Sequence, residues 1–149
     1  MSCRRRPSNR IPRTARQSLR GPRDALDVIT LAASGRAETI CLLLDHAHRG
    51  ITVVIIEGSG PDDDLVGLGD LLVRAATETG AVGAVVLATA RPGRSHLPDA
   101  GDERRWFDLR IRFEEAGVDL LDWFVLSGGL ASSLCELTDS RWRWLDDGP

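Results

Sequence analysis

The chain has 149 residues and a net charge of −3, long enough for one domain to bury a core without disulfides or structural metal. No apolar stretch is long enough to span a bilayer, and no apolar run follows the N-terminal arginines, which argues against a membrane span and a secretory signal. The expectation is a soluble cytoplasmic protein. The three cysteines, Cys3, Cys41 and Cys135, form no CxxC or zinc-ribbon spacing, so buried free thiols are expected rather than a disulfide or zinc framework.

Charge is unevenly spread. Residues 1–23 carry eight arginines and no acid, while all 22 acids lie beyond them with the other 11 arginines. The arm 1–23, with Arg4, Arg5, Arg6, Arg10 and Arg13 at its start, reads as disordered by composition. It is a candidate for holding nucleic acid through phosphates. The alternative is a tail that lies against its own acidic body.

From residue 24 the pattern becomes globular. "RDALDVITLAASGRAE" reads as a helix capped near Asp24, with Leu26, Ile29, Thr30 and Ala33 on its apolar face and Gly35 at its end. "ETICLLLD" and "ITVVIIE" read as two strands joined by the turn "HAHRG", a hairpin over 38–57. "LVGLGDLLVRAATETG" has helical spacing, with Leu65, Leu68, Leu72, Ala75 and Ala76 on one face. "AVGAVVLA" (81–88) is apolar throughout and reads as a central strand. "ERRWFDLRIRFEEAG" is a helix on Trp106, Leu109, Phe113 and Ala116 that stops at Gly117. "VDLLDWFVLS" (118–127) is a fourth strand and "LASSLCEL" a weaker fifth.

The order α-β-β-α-β-α-β-β, without internal repeat, predicts one α/β domain with a mixed sheet flanked by helices, residues 24–138. Residues 139–149 are a tail, although Trp142 and Trp144 suggest docking on the body or on another chain. The predicted core is Leu42, Leu44, Val53, Ile55, Val85, Leu87, Leu121, Trp123 and Val125, covered by the helices over 65–79 and 103–116.

Few motifs carry chemistry. "GSGP" and "SGG" are turn glycines and make no phosphate loop. No GxSxG elbow is present. Ser95 and Ser127 lack an evident base, and the neighbouring side chains of Ser95 and His96 diverge. His46 and His48 form the most metal-like pair, but they fall in a hairpin turn where histidines are usually solvated. Asp122 sits in a strand beside aromatics and reads as a semi-buried structural acid, paired with an arginine or capping a neighbour.

The loop "LATARPGRSHLPDAGDE" (87–103) follows a strand and precedes a helix, the usual ligand position in α/β proteins. Asp99 reads as the helix N-cap. Asp102, three residues on, completes a capping box and favours the positive end of the helix dipole. Both acids thus have a structural explanation without catalysis.

Four stretches carry a resemblance. "ETICLLLDHAHRGI", "AVGAVVLATARPG", "LPDAGD" and "EEAGVDLLDWFVLSGG" resemble, over roughly residues 36–135, the RadC-like branch of the JAB/MPN family, the JAMM metalloprotease fold. The resemblance implies a cytidine-deaminase-like sheet and a bacterial protein. It also implies a zinc site of two histidines in His-x-His spacing, an Asp eleven residues later and an upstream Glu as general base. Such a zinc keeps one position for water and lowers that water's pKa toward ~7.

Laid on this chain, the two histidine positions fall on Thr89 and Arg91, the later capping position on Asp99 and the acid on Asp102. The Glu is not placed; the segment that should hold it, "PDDDLVGLGD", has only Asp acids. The expectation is therefore a catalytically inactive member that binds no cofactor and serves as an interaction or scaffold module for a protein partner. Its DNA-repair association comes from the family label alone. One alternative is a zinc-dependent hydrolase with a rearranged site using His96 and Asp102. Another is a nucleic-acid binder acting through the arm. In place of zinc, Arg91 and Asp102 should pair as an arginine–carboxylate fork, which in a partly exposed loop would contribute about 0.5–1 kcal/mol.

Overall fold

The computed structural model describes residues 4–8, 17–57, 64–78, 80–140 and 143–144. Ten elements follow in order: β1 (Arg4–Ser8), α1 (Pro22–Ala32), β2 (Glu38–Leu44), β3 (Gly50–Glu57), α2 (Asp64–Thr77), β4 (Ala84–Ala90), α3 (Ala100–Glu115), β5 (Asp119–Ser127), β6 (Leu130–Ser133) and α4 (Leu134–Leu137). They build an α/β domain around one mixed sheet of strand order β1-β3-β2-β4-β5-β6. Only the β4–β5 pair is parallel; β1–β3, β2–β3, β2–β4 and β5–β6 are antiparallel. Among the described residues, no helix is long and apolar enough to cross a membrane.

The β2–β3 hairpin forms as its apolar runs predict, and β4 is a central strand, buried along its whole length. Because β4 and β5 run parallel, their connection must cross over the sheet, and α3 makes that crossover. α3 ends at Gly117, whose φ of +79° is a conformation that glycine adopts at low cost. α2 packs beside α3 at Gly69, where a Cβ would come within 2.8 Å of Leu109. Glycine there lets the two helices approach closely.

Two apolar clusters lie on opposite faces of the sheet. One joins α2 and α3 to Cys41, Leu43, Val85, Leu87, Trp123 and Val125. The other joins α1, Leu19 and Trp144 to Ile40, Leu42, Leu44, Val53, Ile55 and Leu121. All nine predicted core residues are buried. Only Val85, Leu87, Trp123 and Val125 face α2 and α3, however; the rest face α1. Strict alternation along β5 would put Leu121 on the face of Trp123 and Val125. A bulge separates them: Val85 pairs with Leu120, but Val86 pairs with Asp122, so Leu121 is an extra residue. One inserted residue reverses the facing of the chain beyond it.

Three other expectations need correction. In the arm, residues 4–8 form an edge strand paired with β3, and Leu19 is buried; Arg10 and Arg13 lie outside the described residues. α1 is capped by Gly21 without a side-chain bond, and Asp24 instead accepts from the Arg20 N–H. Its buried residues are Ala25, Val28 and Ile29; of the expected face, Ile29 is in the core, Leu26 and Ala33 pack partly buried against it, and Thr30 is exposed. Finally, "LASSLCEL" is strand only to Ser133. The Ser133 hydroxyl accepts from the Glu136 N–H and starts α4.

Candidate functional site

β4 ends in Thr89 and Ala90, and its pairing with β5 is extended by the Arg91 N–H bonded to the Leu126 carbonyl at 2.8 Å. The chain then turns through Pro92 and Gly93 (φ +78°), with the Arg94 N–H on the Arg91 carbonyl. Proline followed by a positive-φ glycine suits a tight turn. The Ser127 hydroxyl donates to the Arg94 carbonyl and ties the turn to β5. The loop then runs to Asp99, whose side chain accepts from the Asp102 N–H at 2.9 Å while Asp102 accepts from the Asp99 N–H at 3.0 Å. The predicted capping box is present.

Arg91 and Asp102 meet as a two-pronged pair. Nη1 donates to Oδ2 at 2.9 Å and Nη2 to Oδ1 at 2.8 Å. Arg105, one helical turn on, donates to Oδ1 at 3.0 Å. With the Asp99 N–H, these bonds occupy the four lone-pair sites of the carboxylate. Burial alone would raise the Asp102 pKa, but the Arg91 fork, the Asp99 N–H and the charges of Arg91 and Arg105 outweigh it and hold the acid below its usual range. The guanidinium of Arg91 lies 5.8 Å from the Trp123 ring centroid. The indole N–H of Trp123 donates to the Thr89 hydroxyl at 2.9 Å.

The expected pair therefore exists, but its setting differs from the partly exposed loop assumed from sequence. The side chains of Arg91 and Asp102 are only 6% and 1% exposed. The surface magnitude does not apply, because removing one partner of a buried pair leaves an uncompensated charge and costs about 3–5 kcal/mol.

The residues at the resemblance's metal positions do not fit zinc. Thr89 is engaged by Trp123, Arg91 is a cation, and each oxygen of Asp102 is already bonded twice. A metal on His96 and Asp102 would have to displace Arg91 or Arg105. Among the described residues, no three His, Cys, Asp or Glu side chains gather as a metal-holding group. His46 and His48 stand in different surroundings. His46 is exposed, with Nε2 3.5 Å from the Gly80 carbonyl. His48 is buried against Trp144, ring centroids 5.9 Å apart and nearly perpendicular. The turn histidine expected to be solvated is covered by the tail.

A buried acid missed from sequence is Glu38, first residue of β2 and register partner of Ala90. Its carboxylate accepts from the Ser34 N–H at 2.7 Å and the Ser34 hydroxyl at 2.9 Å. Strand alternation with Ile40 and Leu42 puts it on the α1 face, away from Arg91. Opposite Thr89 on the Arg91 face stands Thr39, a hydroxyl. The glutamate that opens "ETICLLLD" was the available signal. Residues 61–63 of the segment expected to hold the Glu lie outside the described residues.

Asp122 is fully buried and, among the described residues, pairs with no arginine. It accepts from the Ser133 hydroxyl at 2.6 Å and from the N–H groups of Trp123 and Cys135 at 2.8 and 3.1 Å. Burial pushes its pKa up to about 6 against those bonds. The nearby Cys135 thiol is raised to about 11, first by burial and then by Asp122, so it is poor in thiolate. Cys41 and Cys135 are both buried, and among the described residues neither is in a disulfide.

At the carboxyl ends of β4 and β5, on the α1 face, lies an open apolar pocket of about 240 Å³. Leu26, Thr30 and Ala33 of α1 line it together with Ala90, Leu126 and Leu130. Of the α1 face expected to meet the core, Leu26 and Ala33 both pack against it and line this pocket, while Thr30 lines the pocket and Ile29 stays in the core. Searches against family models and curated proteins find no match to the chain.

Proposed function

We propose that this is a RadC-like JAB/MPN-fold domain that has exchanged metal chemistry for an internal ion pair and acts as a cytoplasmic interaction module. The observation that carries the reading is the buried Arg91–Asp102 fork. A fixed guanidinium stands where a neutral metal ligand would be needed, and the one acid at a ligand position has its lone pairs filled. The positive charge that a metal would supply comes from Arg91 and Arg105. The apolar pocket beside the same loop, bounded by α1 and the edge strand β6, gives the module a surface for recognition.

The test is elemental analysis of the full-length protein purified without chelator and again after zinc loading and desalting, together with a peptide-hydrolysis assay with and without chelator. The expected result is less than stoichiometric zinc, unchanged by Asp102→Asn, and no chelator-sensitive hydrolysis. Stoichiometric zinc that Asp102→Asn abolishes would overturn the proposal in favour of a rearranged hydrolase.

A further inference from the structure

The outward face of α3 carries two large apolar side chains that the fold leaves uncovered. Phe107 is 47% exposed and Ile111 53% exposed. At 100° per residue, Arg104, Phe107, Ile111 and Glu115 fall on one stripe, opposite the buried Trp106, Leu109 and Phe113. Arg104 and Glu115 are both exposed. The flanks of α3 are occupied by the chain itself. On one side Arg112 bonds Asp70 of α2 at 2.5 Å. On the other Arg143 of the tail reaches Glu114 at 3.3 Å. The stripe between them is a ridge facing away from the body.

The ridge is self-complementary. It runs from a cation at Arg104, through Phe107 and Ile111, to an anion at Glu115. Turned antiparallel on a second copy about a two-fold axis near Leu109, it sets Phe107 on Ile111 of the other copy, and Arg104 on the other copy's Glu115. Each contact occurs twice, as an isologous interface requires. A parallel arrangement would instead stack Arg104 on Arg104 and Glu115 on Glu115. Asp108 lies beside the stripe on the α2 flank, outside this apolar seam.

We infer that the chain forms a homodimer through antiparallel packing of α3 on α3, with Phe107 and Ile111 as its apolar centre and Arg104–Glu115 as its reciprocal ends. A single helix pair buries less than a standard interface, so a weak, reversible association is expected. It is independent of the proposed function, because neither the Arg91–Asp102 pair nor the pocket takes part.

The experiment is sedimentation velocity on the full-length protein, from low to high micromolar concentration at low salt. The expected result is a reversible monomer–dimer equilibrium. Phe107→Glu should abolish the dimer without changing the thermal unfolding midpoint, since the side chain is exposed. Arg104→Glu and Glu115→Arg should each raise the dissociation constant about tenfold by turning two attractions into repulsions. The double variant Arg104→Glu/Glu115→Arg should restore wild-type affinity. A wild type that stays monomeric throughout, or a Phe107→Glu variant that still dimerises, overturns the inference. So does a double swap as weak as the single variants, because reciprocal pairing would then be absent.

Discussion

Arg91 holds Asp102 through two parallel hydrogen bonds, 2.9 and 2.8 Å long, with both groups out of solvent. Such a pair holds a loop and a helix start in one geometry, and breaking it is costly because the survivor stays buried. Arg91→Ala is expected to lower the unfolding free energy by about 3–5 kcal/mol, toward the lower end because Arg105 still bonds the acid. Neutralising both partners while keeping the capping acceptor, Arg91→Met with Asp102→Asn, should cost less than Arg91→Ala alone. Urea denaturation of the three proteins measures both differences; a double variant weaker than Arg91→Ala refutes the buried-charge account.

That pair was expected from the resemblance's register, which sets both residues at ligand positions of one metal. Local signals mark only its parts: "RPG" announces a turn and "DAGD" a capping box, eleven residues apart in sequence from Arg91 to Asp102. The strands of the hairpin and the central β4 were legible from their apolar runs. The failures have a different source. The rotation of α1 toward Ala25 and Val28 depends on a pocket formed with β5 and β6. The bulge at Leu121 is set by pairing with β4, and no alternation rule contains it. The burial of His48 depends on Trp144, nearly a hundred residues away in sequence. Each of these is decided by long-range packing rather than by local pattern.

The tail contributes to the core. Trp144 is 2% exposed and packs with Leu19 and the β2–β3 face. The Ser140 hydroxyl accepts from the buried Trp106 indole N–H at 3.0 Å. Ending the chain after residue 138 should therefore cost on the order of the 3–5 kcal/mol typical of losing a buried tryptophan, with a further contribution from the orphaned Trp106 donor. Thermal unfolding of the truncated and full-length proteins compares them. Equal midpoints would mean that the tail is dispensable.

His48 should make the fold sensitive to mild acid. Its backbone is left-handed (φ +61°), its ring is buried, and Nδ1 has no hydrogen-bond partner among the described residues. Burial lowers its pKa below 6.5, with Asp119 and Asp45 opposing that shift. A folded-state pKa below the unfolded value means that the unfolded chain binds the proton more readily, so stability falls as pH drops below about 6.5. His48→Asn keeps a residue that tolerates left-handed backbone and removes the titration. Its stability should change less than wild type between pH 7 and 5. Identical pH dependence in the two proteins would exclude His48 as the cause.

Asp122 acts in the opposite direction. Its pKa is about 6 in the fold against 3.8 for an unperturbed carboxyl. Between those values the folded protein binds more protons than the unfolded chain, so this group favours folding in acid and loses that contribution as pH rises through about 6. At neutral pH a buried carboxylate is held by three donors with no cation among its hydrogen-bond partners. Asparagine preserves the shape: its carbonyl accepts from the Trp123 and Cys135 N–H groups, and its amide donates to the Ser133 hydroxyl once that hydroxyl turns. Asp122→Asn is therefore expected to be neutral or stabilising at pH 7.5 and destabilising relative to wild type at pH 4, the two stability curves crossing in between. Urea unfolding midpoints across that range would show the crossing. A variant weaker than wild type by a constant amount at every pH would mean that Asp122 does not titrate in this window and serves only as a hydrogen-bond acceptor.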